Sequence, residues 1–188
     1  MGANIWPHMK PELSDAELMK LLADGQMEAL DELILRHQST LMNFLRHMGV
    51  QWDVAEDCAQ EIWIKLYDYR HRYQPEAKLT TFLYMMARQK VLDHFRSCQR
   101  RKSWLDKVLF WQTAEQERLE RPVVIGDLEI NVEAQLMKLS EEHREVIVLR
   151  VVQDLSYQEI AEIVNIPLGT VKSRMHHALK QLREGMET

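Results

Sequence analysis

Apolar positions along this chain recur at steps of three and four, the spacing of helices, and no strand-rich segment, internal repeat or low-complexity run interrupts them. Ser14 and Glu17 form a capping box, with Leu13 and Leu18 placed to staple across it, and a short helix follows to about Asp24–Gly25. A longer helix is expected from Met27 to Met48 on the stripe Leu30, Leu33, Ile34, Leu41, Phe44, Leu45 and Met48, with Gly49 positioned to end it. The next is expected to open at Asp53, boxed by Glu56, and to reach Tyr69 with Ala55, Cys58, Ala59, Ile62 and Leu66 facing inward. Pro75 breaks the pattern. Beyond it Phe82, Leu83, Met86, Ala87, Val91 and Phe95 make another core stripe.

From Ser103 to Asn131 the period is lost, charge is mixed, and Pro122 and Gly126 appear, which marks a linker whose Trp104, Leu105, Val108, Leu109 and Trp111 fit one short amphipathic helix. Val132–Leu139 and Ser140–Gln153 supply two more helices. The stretch Leu155–Arg183 then divides into helix, turn and helix. Ser156 and Glu159 box its start, Leu155 staples to Ile160, and Asn165, Ile166, Pro167 and Gly169 form the turn. From Thr170 a stripe of Val171, Met175, Ala178, Leu179 and Leu182 leaves Lys172, Ser173, Arg174, His176, His177, Lys180 and Gln181 toward solvent. The expected fold is therefore all-α: two small helical domains, 14–100 and 132–184, joined by a linker over 101–131, the C-terminal one a helix-turn-helix bundle.

Charge sharpens this picture. The net charge of −5 is unevenly spread, with four Lys/Arg against eleven Asp/Glu in residues 1–62. Residues 86–103 hold Arg88, Lys90, Arg96, Arg100, Arg101 and Lys102 against Asp93 alone, and no carboxylate lies between Leu168 and Arg183. Two basic patches in an acidic body bind phosphate locally while the overall field repels it, so DNA binding by the chain alone should be poor. An acid-free helix set by a tight turn on a preceding helix suits the major groove. A plain antiparallel helix pair with a solvated face fits the same residues.

Two further surfaces stand out. Asp57, Gln60, Glu61, Ile64 and Asp68 line up on the outer side of their helix, and both a docking surface and a solvated acidic face with one exposed Ile account for them. The segment Arg70–Lys78 gathers Arg70, His71, Arg72, Tyr73 and Gln74, and Tyr84, Arg88, Arg96 and Arg100 follow off the core stripe. Aromatics interleaved with cations suit single-stranded or melted DNA, although packing of Tyr84 and snorkelling arginines would explain them as well.

Cys58 and Cys98 form no CxxC pair, which suits a reduced, cytoplasmic protein. No apolar run is long enough to span a bilayer, and MGANIWPHMK has no apolar signal core, so no direct membrane insertion is expected. No His supports a metal site at Asp57 and Glu61, and no HxxxH or HExxH occurs, so neither a metal, a cofactor nor an enzymatic activity is expected.

These pieces together resemble the short, extracytoplasmic-function sigma factors of bacterial RNA polymerase. AEDCAQEIWIKLY is similar to the segment that docks on the clamp helices of the polymerase largest subunit, and TFLYMMARQKVLDHFR to the promoter-melting helix. SYQEIAEIVNIPLGTVKSRMHHALKQLR resembles the fourth conserved region, which reads the minus-35 element, and the third region is absent as in the short group. The resemblance implies a sigma subunit that directs polymerase to promoters, with core RNA polymerase, promoter DNA and an anti-sigma factor as partners. It assigns core binding to Asp57, Gln60, Glu61 and Ile64. It assigns minus-35 contacts to Thr170, Lys172, Ser173, Arg174 and His177, the last standing where relatives usually carry Arg. Capture of a minus-10 base falls to the loop with Arg72 and Tyr73, and the opened strand to Tyr84, Arg88, Lys90, His94, Arg96 and Arg100. Phe82 replaces the usual Trp and Gln89 the usual Asn. The alternative from the residues alone is a dimeric helix-turn-helix regulator that binds its operator directly.

Overall fold

A capping box starts the first helix in the computed structural model, which describes residues 13–74, 78–109 and 134–186, and every regular element among them is helical. Ser14 Oγ accepts from the Glu17 amide at 3.3 Å while the Glu17 carboxylate accepts from the Ser14 amide at 2.7 Å, opening α1, Asp15–Ala23. Its buried Leu18, Met19 and Leu22 pack on α2, Glu28–His47. Polar side chains fix the same pair: Arg36 Nη1 donates to the Leu13 carbonyl at 2.6 Å, and His37 Nε2 lies 2.8 Å from Asp15 Oδ2. The His37 bond, ahead of the nearby Arg36 charge, holds the Asp15 carboxyl below its usual range.

Gly49, at φ +93°, ends α2 as expected. The following helix, α3, spans Trp52–Tyr69 and is capped by the extended backbone of Gln51, not by Asp53. Asp53 already lies in the first turn, and Glu56 accepts from Trp52 Nε1 at 2.8 Å instead of closing a box. The inward set Ala55, Cys58, Ala59, Ile62 and Leu66 is buried, joined by Trp63, whose Nε1 donates to Gln38. Next, α4 runs from Leu79 to Leu109, past the expected domain end at residue 100. No Gly or Pro occurs between Leu79 and Leu109 to stop it. The remainder of the expected linker, with Trp111, lies outside the described residues, as do Val132 and positions 75–77 of the loop.

In the C-terminal half a short helix, α5, covers 134–138. Ser140 then caps α6, Glu141–Ile147, by accepting from the His143 amide. In place of a continuous helix to Gln153, α6 widens into a π turn over Val148–Val152, in which Gln153 N bonds back to Val148 O. The second capping box, Ser156 with Glu159, opens α7, Tyr157–Val164, and Asn165 ends it in the left-handed region at φ 56°. The last helix, α8, is Leu168–Met186, two residues earlier than expected, so that Gly169 belongs to its first turn and not to the loop. Val171, Met175 and Ala178 are buried, while Leu179 is 47% exposed and falls off the stripe.

The two halves pack on each other: α4 lies against α7, the end of α2 against the π turn, and the buried apolar side chains form one continuous cluster. Arg144, only 8% exposed, joins them through carbonyls. Its Nε donates to Leu136 O at 2.9 Å and its Nη2 to Met137 O and Leu139 O. Nη1 reaches Met48 O at 3.1 Å across the seam. Lys78 Nζ to Glu159 at 2.6 Å is a second bridge.

Gly25 and Gly49 share a left-handed backbone, φ +91° and +93°, but a Cβ on Gly25 meets open space whereas one on Gly49 meets Arg144 Nη1 and Met137 Sδ at 3.3 Å. Gly25→Ala should therefore cost only the backbone strain, about 1–2 kcal/mol, and Gly49→Ala more than that, compared by denaturant unfolding of the two variants. A second expectation concerns acid. The Lys78 and Ser156 hydrogen bonds pull the Glu159 carboxyl from 4.5 to about 2, so the stability it contributes is complete above pH 4.5 and is lost as pH falls toward 2. Buried Glu145, whose carboxyl is raised, acts with the opposite sign. Thermal unfolding as a function of pH should show Glu159→Gln less stable than the parent at neutral pH, the gap closing between pH 4.5 and 2.

Candidate nucleic-acid interface

The basic front of α8 follows directly from its burial pattern. With Val171, Met175 and Ala178 turned into the core, Lys172, Ser173, His176, His177, Lys180 and Gln181 emerge on the solvent side. Thr170 is partly covered in the first turn. Arg174 is also partly covered, because Glu142 on α6 holds its Nη2 at 2.8 Å. Next to it, His143 of α6 stacks on His177 at 6.2 Å and places Nδ1 3.0 Å from Gln181 Oε1. Of the five residues expected at a duplex, Lys172 and Ser173 are therefore open, and Arg174 and His177 adjoin α6.

On α4 the expected strand-facing set divides three ways. Arg96 and Arg100 remain exposed, Arg96 3.4 Å from Asp93. His94 is half-buried beside Phe95, with Nε2 3.6 Å from Cys98 Sγ. Lys90 turns to α3, where its ammonium pairs with Glu61. Tyr84 and Arg88 turn toward the C-terminal half. Tyr84 is 6% exposed, its ring 5.3 Å from Phe44 and its hydroxyl donating to Gln153 Oε1. It does not face solvent here, because α4 is covered by α2 and α3 on one side and by α7 on another, which leaves it two buried faces. Burial raises the Tyr84 phenol. Arg88 Nε donates to Glu145 at 2.7 Å. Glu145 is 5% exposed, and burial raises its carboxyl against the pull of Arg88 and Arg174.

The loop after α3 starts from a fixed point: the Arg70 guanidinium lies 3.8 Å over the Tyr67 ring and donates to Tyr67 O. Arg72 is exposed beyond it, and Tyr73 leans on the core, its phenol raised by burial. Phe82 stacks on Tyr69 at 4.7 Å. Asp57, Gln60, Glu61 and Ile64 are all exposed along α3, Ile64 to 61%. Among the described residues no group of three or more His, Cys, Asp or Glu could hold a metal ion, and no helix is long and apolar enough to cross a membrane.

Sequence reasoning missed the partners across the seam: Arg144, Glu145, Gln153 and the Lys78–Glu159 pair. The one available signal was the run Glu141–Glu145, EEHRE, three acids on the helix that precedes the helix-turn-helix.

Comparison with known proteins places these surfaces in a family. The model described as "Sigma-70 region 2" matches residues 33–101, and "Sigma-70, region 4" matches residues 130–182. The ECF RNA polymerase sigma factor SigW of Bacillus subtilis is 29% identical over 186 residues, covering 92% of this chain and 97% of the relative. The RNA polymerase sigma-H factor of Pseudomonas aeruginosa is 26% identical, covering 95% and 97%. Among solved structures, CnrH in complex with the cytosolic domain of CnrY shares the fold with a TM-score of 0.70 at 22% identity, covering 92% and 97%. The sigma factor RpoE of Bartonella quintana in complex with the anti-sigma factor NepR also gives 0.70, at 23% identity, covering 84% and 96%. The two models follow each other in this chain in the order of the two helical units, and the chain belongs to the extracytoplasmic-function group of the sigma-70 family, non-enzymatic subunits that direct RNA polymerase to promoters.

Proposed function

We propose that the two helical units divide the promoter, the unit at 132–184 reading the minus-35 duplex and the unit at 14–100 binding core polymerase and opening the minus-10 element, with 101–131 linking them. The observation that carries this division is the cationic face of α8, which holds no carboxylate of its own before Glu184 and is presented by a helix-turn-helix whose buried residues are all apolar. Lys172 and Ser173 meet phosphates, and Arg174, Thr170 and His177 reach base edges once Arg174 leaves Glu142. The exposed row Asp57, Gln60, Glu61 and Ile64 docks on core polymerase, and Lys90 orients Glu61 there through its ion pair. Arg72 and Tyr73 take the flipped base, while Arg96, Arg100 and His94 lie along the strand. Tyr84 and Arg88 join them only when the C-terminal unit moves away.

Melting then needs no covalent step by this subunit. An unstacked base held in the loop and a strand held on α4 lower the free energy of the open duplex. We place the protein in the cytoplasm with its polymerase. The complex of the structural neighbour RpoE with the anti-sigma factor NepR supports an anti-sigma partner here as well.

Promoter-library transcription with purified core polymerase tests this reading: transcripts that require the protein and share two spaced elements are expected. Arg174→Ala should lose about 1–3 kcal/mol of discrimination at one minus-35 base pair and leave core binding intact. Glu61→Ala should weaken core binding, measured by competition for polymerase, before it alters promoter choice. Equal loss of both properties in Arg174→Ala refutes the assignment of α8.

A further inference from the structure

Three histidines meet on the C-terminal unit: His143 on α6 and the neighbours His176 and His177 on α8. The His143 ring stacks on that of His177, centroids 6.2 Å apart and planes 25° from parallel, and the His176 ring meets His177 edge-on at 5.7 Å. His143 Nδ1 donates to Gln181 Oε1 at 3.0 Å, since a carbonyl oxygen can only accept. That bond fixes the ring and leaves Nε2 as the nitrogen that takes up a proton. His176 and His177 are exposed, and His143 is partly covered. The three rings do not converge as metal ligands would.

The charged groups around them are cations or carboxylates held by other partners. Along α8, His176 stands one turn from both Lys172 and Lys180, and Arg174 lies one turn before His177. Glu142 of α6 is on Arg174 at 2.8 Å, Glu145 on Arg88 at 2.7 Å, and Glu184 of α8 lies 3.8 Å from Lys180. Glu141 lines the cleft shared with Arg88 and Glu145. On α7, which also packs on α8, Glu159 turns to Lys78 and Glu162 is exposed. The short α5 meets the end of α8 through Gln135 and the Gly185 carbonyl and carries no acid. None of these pairs takes up an imidazole.

Two imidazolium rings stacked this closely repel each other, and an anion set against both relieves the repulsion. DNA phosphate is such an anion, and His176 and His177 open on the face read above as meeting the duplex. Histidine changes charge near neutral pH, so such a site is weak while the rings are neutral and strong once they are protonated. We propose that His143, His176 and His177 form a proton-dependent phosphate site, which extends the minus-35 surface from α8 onto α6 and tightens promoter binding as pH falls. The proposal rests on the reading of α8 as the minus-35 helix. Its sign follows from linkage: phosphate favours the protonated rings, and the protonated rings favour phosphate to the same degree.

The test uses core polymerase carrying the full chain on a promoter fragment from the library, with affinity measured against salt at about pH 6 and about pH 8. The parent should bind more tightly at the lower pH, by about two- to fivefold for each imidazolium that meets a phosphate. Log affinity should also fall more steeply with log salt there, by about 0.9 per contact. His143→Gln should lose one such step in both quantities, while the responses of polymerase and of the remaining histidines are shared with the parent and cancel. His143→Arg carries a permanent cation and should show the steeper salt slope already at the higher pH. A parent that binds no better at the lower pH, or a His143→Gln variant with the parent's pH response and slope, would overturn the proposal. So, independently, would a His143→Arg variant whose slope at the higher pH matches the parent's. If Lys172→Ala and Arg174→Ala leave promoter binding unchanged at both pH values, the reading of α8 itself fails, whatever the histidines do.

Discussion

One buried guanidinium sets how the halves of this protein meet. The final carbonyls of a helix have no partner within it and carry partial negative charge, so a buried helix end requires a donor from outside. Arg144 supplies that donor to carbonyls at the ends of α5 and α2 together. Because an arginine keeps its charge, its burial is tolerable only when most of its N–H groups are satisfied, and it makes bonds to Leu136, Met137, Leu139 and Met48. Gly49 leaves the space: its left-handed turn carries the chain away from Met48, and its missing side chain admits Nη1. Glu145, the next residue along α6, is rotated by about 100° and meets α4. Two adjacent charges thus bind two different helices of the other unit.

That arrangement redistributes the charge asymmetry of the sequence. The sum of −5 made the chain look unsuited to nucleic acid, and the two basic stretches made it look locally competent. In the folded chain the two facts are connected through α6, whose Glu142 and Glu145 face Arg174 and Arg88. Arg96 and Arg100 on α4 and Lys172 on α8 are exposed and take no part in those pairs. Cations of both basic stretches are therefore divided between exposed positions and positions paired to α6.

Local pattern made much of this fold legible. Both serine–glutamate boxes that open helices were readable because each is closed within four residues, and the inward sides of α2 and α3 followed from period alone. Errors arose where the deciding partner was distant or the backbone departed from 3.6 residues per turn. Asp53 and Glu56 mimic a box one turn inside a helix that Gln51 actually caps. Gly169 looked like turn because of Pro167, yet Pro167 O accepts the first bonds of α8. The π turn over Val148–Val152 has no sequence period of its own. Tyr84 belonged by spacing to the outer face of α4, and its burial comes from distant partners, the Phe44 ring on α2 and Gln153, 69 residues away. The row Asp57, Gln60, Glu61 and Ile64 was legible as exposed because none of the described residues buries that side of α3.

The Lys90–Glu61 pair carries the argument one step further, since it joins the side proposed to bind polymerase to the helix proposed to hold melted DNA. Lys90 lies mostly covered between α3 and α4, whereas Glu61 is exposed, so the pair is firmly based at one end and accessible at the other. Neutralising Glu61 at a docked surface would free a positive charge on α4 at the moment when a strand is needed there. Lys90 and Arg88 thus leave α4 in different directions, one paired to α3 and the other to α6.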